Sequence, residues 1–140
     1  MKRSISVRSR AHRTLGRLSS FTTDLSAIGS ALDRLALNTN EEIIGAYRNS
    51  ETSAIVVTSF ALHIVSADVT TRIPFKSIVK MEAPTSKTNG EEVVLWLSAG
   101  DRTVVQIRGG RGQFKDVFEF GRFLARVLGD QPQQSAKADG

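Results

Sequence analysis

The 140-residue chain has no cysteine, three prolines, one tryptophan and one tyrosine. Without cysteine there is no disulfide, no thiolate metal site and no cysteine nucleophile. No apolar run approaches the ~18 residues of a membrane-spanning helix. The two histidines, His12 and His63, stand alone, and no His/Asp/Glu cluster has metal-ligand spacing, so neither a metal nor a cofactor is expected. The many serines fall outside the G-x-S-x-G elbow of hydrolases. Glu41-Glu42 and Glu91-Glu92 are acidic pairs at strand starts. Neighbouring strand residues point to opposite faces, so neither pair forms a carboxylate dyad. The charged fraction of 24% is that of an ordinary globular protein, and the length predicts one domain with its own core.

Acidic residues are missing from the first twenty positions, which carry Lys2, Arg3, Arg8, Arg10, Arg13 and Arg17. That segment is +6. The remaining residues hold 13 Lys/Arg against 14 Asp/Glu, a net −1, so the +5 of the whole chain belongs to its N-terminus. Residues 1–22 therefore read as a flexible basic arm. It lacks the apolar core of a secretory signal, and its Arg- and Ser-rich, acid-free composition also fits an organelle-targeting segment. The arm has no aromatic residue to stack on bases, which argues against nucleic acid.

Next comes one domain, 23–129, and a polar tail, 130–140, without hydrophobic anchors. Leu25, Ile28, Leu32 and Leu35 recur at spacings of three and four and predict an N-terminal helix over 24–37, capped by Thr23 or Asp24. The period then drops to two. Seven strands are predicted at 42–48, 53–58, 61–66, 69–73, 77–82, 92–98 and 102–108. Pro74 separates the fourth from the fifth, because proline cannot donate to a sheet ladder. A long amphipathic helix over 113–128 ends the domain. Its predicted apolar stripe is Phe114, Val117, Phe118, Gly121, Leu124, Ala125 and Leu128, with Gly129 at its end. The fold class is thus α+β, mainly β. Seven strands with tight turns suggest a sandwich or a barrel, here a seven-stranded barrel if the amphipathic C-terminal helix caps its open end, with an extra N-terminal helix.

Three local features carry a family resemblance. Val56-Val57-Thr58 is a hydrophobic strand ending in Thr before a tight turn. Leu62-His63-Ile64-Val65 follows, and then Ile73-Pro74-Phe75-Lys76-Ser77-Ile78. Over residues 41–129 this order resembles the pleckstrin-homology (PH) superfold, in particular its GRAM and bacterial PH-like branches. Those families often place Asn-x-Arg after the Thr, where this chain has Ser59-Phe60-Ala61. The resemblance implies a non-catalytic binding module; the neutral domain, the surplus apolar faces of the helices and the absent chemistry make a cytoplasmic protein-interaction adaptor, with no small-molecule substrate, the expected role. The alternative is a peripheral module held on anionic membrane by the basic arm and the scattered strand cations. Phosphoinositide-binding relatives clamp phosphates with a Lys/Arg-rich first hairpin, whereas the matching hairpin here offers Arg48 beside Glu51.

Two groups of candidate residues follow. Phe120, Phe123 and Val127 fall outside the predicted stripe of the last helix. They read as an exposed contact patch, for the Leu25/Ile28/Leu32 face of the first helix, a second copy or a protein partner. Arg48, Arg72, Lys76 and Lys80, with Arg8, Arg10, Arg13 and Arg17 of the arm, form a weak candidate anion or lipid site. Gly109-Gly110-Arg111-Gly112 reads as a strand-to-helix turn. Val94 and Trp96 alternate with Val93, Leu95 and Leu97 and so lie on the outer side of their strand. There they are expected to pack against the 84–90 loop or the first helix.

Overall fold

A computed structural model describes residues 7–18, 21–24, 35, 37–50, 53–66, 69–82, 92–107 and 114–130. The described elements run α1 (Val7–Arg13), a 3-10 turn (Leu15–Arg17), β1 (Phe21–Thr22), β2 (Ile43–Arg48), β3 (Ala54–Thr58), β4 (Ala61–Val65) and β5 (Thr70–Pro74). A second 3-10 turn (Phe75–Ser77), β6 (Ile78–Glu82), β7 (Glu92–Leu97), β8 (Arg102–Gln106) and α2 (Phe114–Asp130) complete them. All seven expected strands are present as β2 to β8. They form two antiparallel sheets, one in the order β1-β2-β3-β4-β5 and one in the order β6-β7-β8.

Alternation gives each sheet an inner face. Ile44, Tyr47, Ile55, Val57, Leu62 and Ile73 of the first sheet join Ile78, Val93, Leu95 and Val105 of the second in one core, closed by Val117, Phe120, Phe123, Leu124 and Val127 of α2. Pro74 ends β5, and Phe75 of the following turn is buried edge-on against Phe123, ring centroids 6.2 Å apart. Tyr47 meets Phe120 edge-on at 6.1 Å, and its hydroxyl donates to Asp116 Oδ2 at 2.6 Å. Asp116 lies in the first turn of α2, where the helix dipole favours a carboxylate. One residue thus seats the helix on the barrel.

The N-terminal segment departs from the expected arm. Residues 7–18 form α1 and a 3-10 turn, and these lie against α2. Ala11, Leu15 and Leu18 are buried in the same core as the phenylalanines of α2. Their i, i+4, i+7 spacing outweighs the surrounding arginines, because Arg side chains reach solvent while the short apolar face stays down. Beyond the turn, β1 adds a strand at the edge of β2, pairing Phe21 with Tyr47. Gly45 makes room for it: a Cβ there would sit 2.5 Å from the Phe21 ring and 2.8 Å from the Thr22 carbonyl. Of the helix expected over 24–37, residues 25–34 and 36 lie outside the described residues, as do the 130–140 tail beyond Asp130, the 84–90 loop and Gly109 to Gly112.

The buried face of α2 is also corrected. Phe120, Phe123 and Val127 are core residues, whereas Phe118 is half exposed and Ala125 is exposed. The helix packs against the barrel on one side and the N-terminal segment on the other. Its buried arc is therefore wider than the sequence stripe and turned from it by roughly a quarter turn, at ~100° per residue. Arg122 covers Phe118, its guanidinium 5.9 Å from the ring centroid. The helix continues through Gly129 to Asp130.

Candidate functional site

The two sheets differ on their outer faces. The outer face of the five-stranded sheet is closed: every residue of β3 is buried, and Ala46, Val56 and Val65 form a second apolar cluster with Leu35 and Ile43 against it. A β-bulge between Ile43 and Gly45 lets Ile43 and Ala46, three residues apart, both face outward.

A polar network sits in this closed face. Glu41, just before β2, has a fully buried side chain. Its Oε1 accepts from Arg72 Nη2 at 3.0 Å and from the Asn38 N–H at 2.9 Å. Its Oε2 accepts from the Thr58 hydroxyl and from His63 Nε2 at 3.0 Å. A carboxylate only accepts, so the imidazole proton of this contact is on Nε2. The Thr58 oxygen also accepts the N–H groups of Phe60 (3.2 Å) and Ala61 (3.0 Å), closing the β3–β4 turn. Burial pushes the Glu41 carboxyl up. The Thr58 hydroxyl, the Asn38 N–H, His63 and Arg72 together outweigh it and bring it down from 4.5 to about 2. Both oxygens are saturated by donors from β3, β4, β5 and the preceding turn, so the cluster ties those four segments together. Glu42, the next residue, points out and meets Arg8 at 3.5 Å.

The outer face of the three-stranded sheet is part-exposed over its described residues. Val93 and Leu95 point into the core, so Val94 and Trp96 point out, and both are part-exposed. A bulge between Ile78 and Lys80 turns Val79 out as well, 63% exposed. Trp96 stands between Lys80 on one side and Arg102 on the other, and Glu82 and Val104 flank Val94 in the same way. The Arg102 guanidinium lies over the Trp96 ring, 5.5 Å from its centroid. Lys80 Nζ and Glu82 Oε2 are 3.3 Å apart in an exposed pair, worth about 0–1 kcal/mol. The face is a row of cation, Trp, cation beside a row of Glu, Val, Val.

The sequence-derived candidates distribute as follows. Phe120, Phe123 and Val127 are structural: truncating Phe123 to Ala removes a core side chain, at about 3–5 kcal/mol, and does not probe a surface. Leu25, Ile28 and Leu32 lie outside the described residues. The candidate cations do not converge. Arg72 belongs to the Glu41 network, Lys80 to the open face, Lys76 to the turn before β6 and Arg8 to the Glu42 pair. Arg10 and Arg13 are in the last turn of α1 with His12, Arg17 is in the 3-10 turn beyond it, and Arg48 ends β2. The hairpin after Arg48 is closed by its own groups. The Asn49 and Ser50 N–H groups bond the Ser53 carbonyl at 2.8 and 3.0 Å, and Asn49 Nδ2 bonds the Gln106 carbonyl at 2.9 Å. Val79, Val104 and Arg102 were not among the sequence candidates. The signal for them was the outward phase of Trp96, carried across to its neighbouring strands.

Neither a family model nor a curated protein matches the chain. Among solved structures it is similar to a DUF1696 family protein with a pleckstrin-homology domain from Shewanella loihica PV-4. The two are 23% identical, with a TM-score of 0.53, over 76% of this chain and 93% of the other. It is also similar to a pleckstrin-homology domain from Shewanella amazonensis SB2B, 25% identical, with a TM-score of 0.57, over 81% of this chain and 95% of that one. The fold is pleckstrin-homology-like, with β2 to β8 as the barrel and α2 as its cap. No helix among the described residues is long and apolar enough to cross a membrane.

Proposed function

We propose that the chain is a non-catalytic PH-like binding module that engages a protein through the outer face of its three-stranded sheet. The observation that carries this reading is the contrast between the two outer faces. One is sealed around a saturated carboxylate, and the other presents Val79, Val94, Trp96 and Val104 among Lys80, Glu82 and Arg102. Accessible apolar residues with an aromatic anchor and charged neighbours are the composition of an interaction surface. Within the superfold, Thr58 at the end of β3 and the Ile73-Pro74-Phe75 turn support a GRAM-like placement.

The reading is tested by display selection of binders on the immobilised full chain, counter-screened with Val104→Asp. That residue is exposed, so its substitution spares the fold. Binders that fail on the variant support the surface. Binders that ignore the variant contradict it. The competing reading is a membrane module, favoured by the basic last turn of α1. Sedimentation with phosphatidylserine vesicles at physiological salt that disappears in an Arg10→Glu/Arg13→Glu variant would replace the protein-binding proposal.

A further inference from the structure

The open face continues into an open edge. Among the described residues no strand pairs with β8 on the side away from β7. The phase of the β7–β8 ladder says which groups that edge presents. The hairpin closes with the Leu97 N–H bonded to the Asp101 carbonyl at 2.8 Å. Leu97–Asp101 is therefore a hydrogen-bonded pair, and the next such pairs are Leu95–Thr103 and Val93–Val105. The backbone groups of Arg102, Val104 and Gln106 consequently point away from β7. Gln106 shows this directly, since its carbonyl is taken by Asn49 Nδ2 at 2.9 Å. The Asn49 side chain ends the available edge, leaving the N–H and C=O groups of Arg102 and Val104.

The side chains beside that edge form a short code. Arg102 is exposed, its guanidinium over the Trp96 ring at 5.5 Å from the centroid, and among the described residues no carboxylate pairs with it. A guanidinium without a carboxylate partner keeps N–H donors that can grip a carboxylate with two bonds. Val104, two residues on and 39% exposed, lies about 7 Å away along the strand, the i to i+2 spacing of any extended partner. A strand added to β8 would thus place one outward side chain beside Arg102 and the next beside Val104, as direct cross-strand neighbours.

We propose that the β8 edge accepts a short extended segment of a partner protein as a fourth strand, with an acidic residue beside Arg102 and an apolar residue beside Val104. This rests on the outer face of the three-stranded sheet being the binding surface. It adds the chemistry and conformation of the partner. The edge offers two residues, too few for the ~800 Å² per partner of a stable dimer, so the occupant is a peptide segment and not a second copy of the chain. Strand addition of this kind takes affinity from the backbone and specificity from alternate side chains.

The test is fluorescence anisotropy of the full chain with peptides built on the core Thr-Val-Thr-Glu-Thr-Val-Thr, which presents the pattern in either strand direction, and matched peptides with Lys or Gln replacing Glu. The acidic peptide should bind at least ten-fold more tightly than the Lys peptide. Arg102→Glu should reverse that order. Val104→Pro should abolish binding while the fold, read by circular dichroism, persists, because that N–H faces away from the ladder and an edge position tolerates proline. Equal binding of acidic and basic peptides, or binding unchanged by both variants, overturns the proposal. Peptides that lose affinity with Trp96→Ala and not with Val104→Pro overturn the strand-addition proposal while leaving the surface reading intact. Self-association in light scattering that Val104→Pro removes would make a second copy the occupant and also overturns it. So does sedimentation with phosphatidylserine vesicles that Arg102→Glu abolishes.

Discussion

The five-stranded and three-stranded sheets use the same inner-face chemistry and opposite outer-face chemistry. In the first, β3 is apolar except for a terminal Thr, and all of it is buried. Thr58, with His63 and Arg72, converts the outer side into a sealed ionic cluster around Glu41. In the second, strands of similar length carry charged and apolar residues outward together and remain accessible. A sheet that spends both faces on packing is a scaffold. A sheet that spends one is free to bind. That difference makes substitution cost a reporter of role.

The largest effect is expected at Glu41. Glu41→Ala leaves His63, Thr58, Arg72 and the Asn38 N–H facing a buried hole, and breaking a buried ionic cluster from one side costs about 3–5 kcal/mol. Urea unfolding measures it. An unchanged midpoint would mean the closed face is not held by this network. Acid should act on the same group. The carboxyl of Glu41 is lower in the folded chain, about 2 against 4.5. Its contribution is therefore complete above about pH 4.5 and is lost as pH falls toward 2, amounting to about 3 kcal/mol. In Glu41→Gln that part of the pH dependence should vanish. Thermal melts between pH 2 and 6 decide it.

A smaller loss, about 1–3 kcal/mol, is expected for Gly45→Ala, whose Cβ drives Phe21 and Thr22 off the edge of β2. Amide exchange should rise at residues 21–22 in that variant. Exchange unchanged there would show that β1 does not depend on the glycine. The smallest effect belongs to the open face: Val79→Ser and Val104→Ser should each stay within about 0.5 kcal/mol of the parent. A loss as large as at Glu41 would mean that this face, too, is structural.

Much of this architecture was legible in the sequence, and the failures have physical reasons. Period-two runs, Pro74 and the turn residues located β2 to β8, because alternation and proline chemistry are local. The contacts that build the Glu41 cluster span 17, 22 and 31 residues, so Glu41 read as one of a pair and His63 as a lone strand residue. The rotation of α2 was missed because a helix packed on two sides has no single polar face. The N-terminal segment was missed because six cations obscure an apolar face of Ala11, Leu15 and Leu18. A glycine in mid-strand at position 45 was the available hint of β1, since such glycines mark close backbone approach. On the functional side, the outward phase of Trp96 was readable. Its cationic neighbours were not, because they depend on cross-strand register.

The most direct test of the account is hydrogen–deuterium exchange of the full chain with and without a display-selected peptide. Protection should be confined to residues 79–82, 92–97 and 102–106, with β3 and β4 unchanged. Protection centred on β3 and β4, or on α1, with none at β7 and β8, would contradict it.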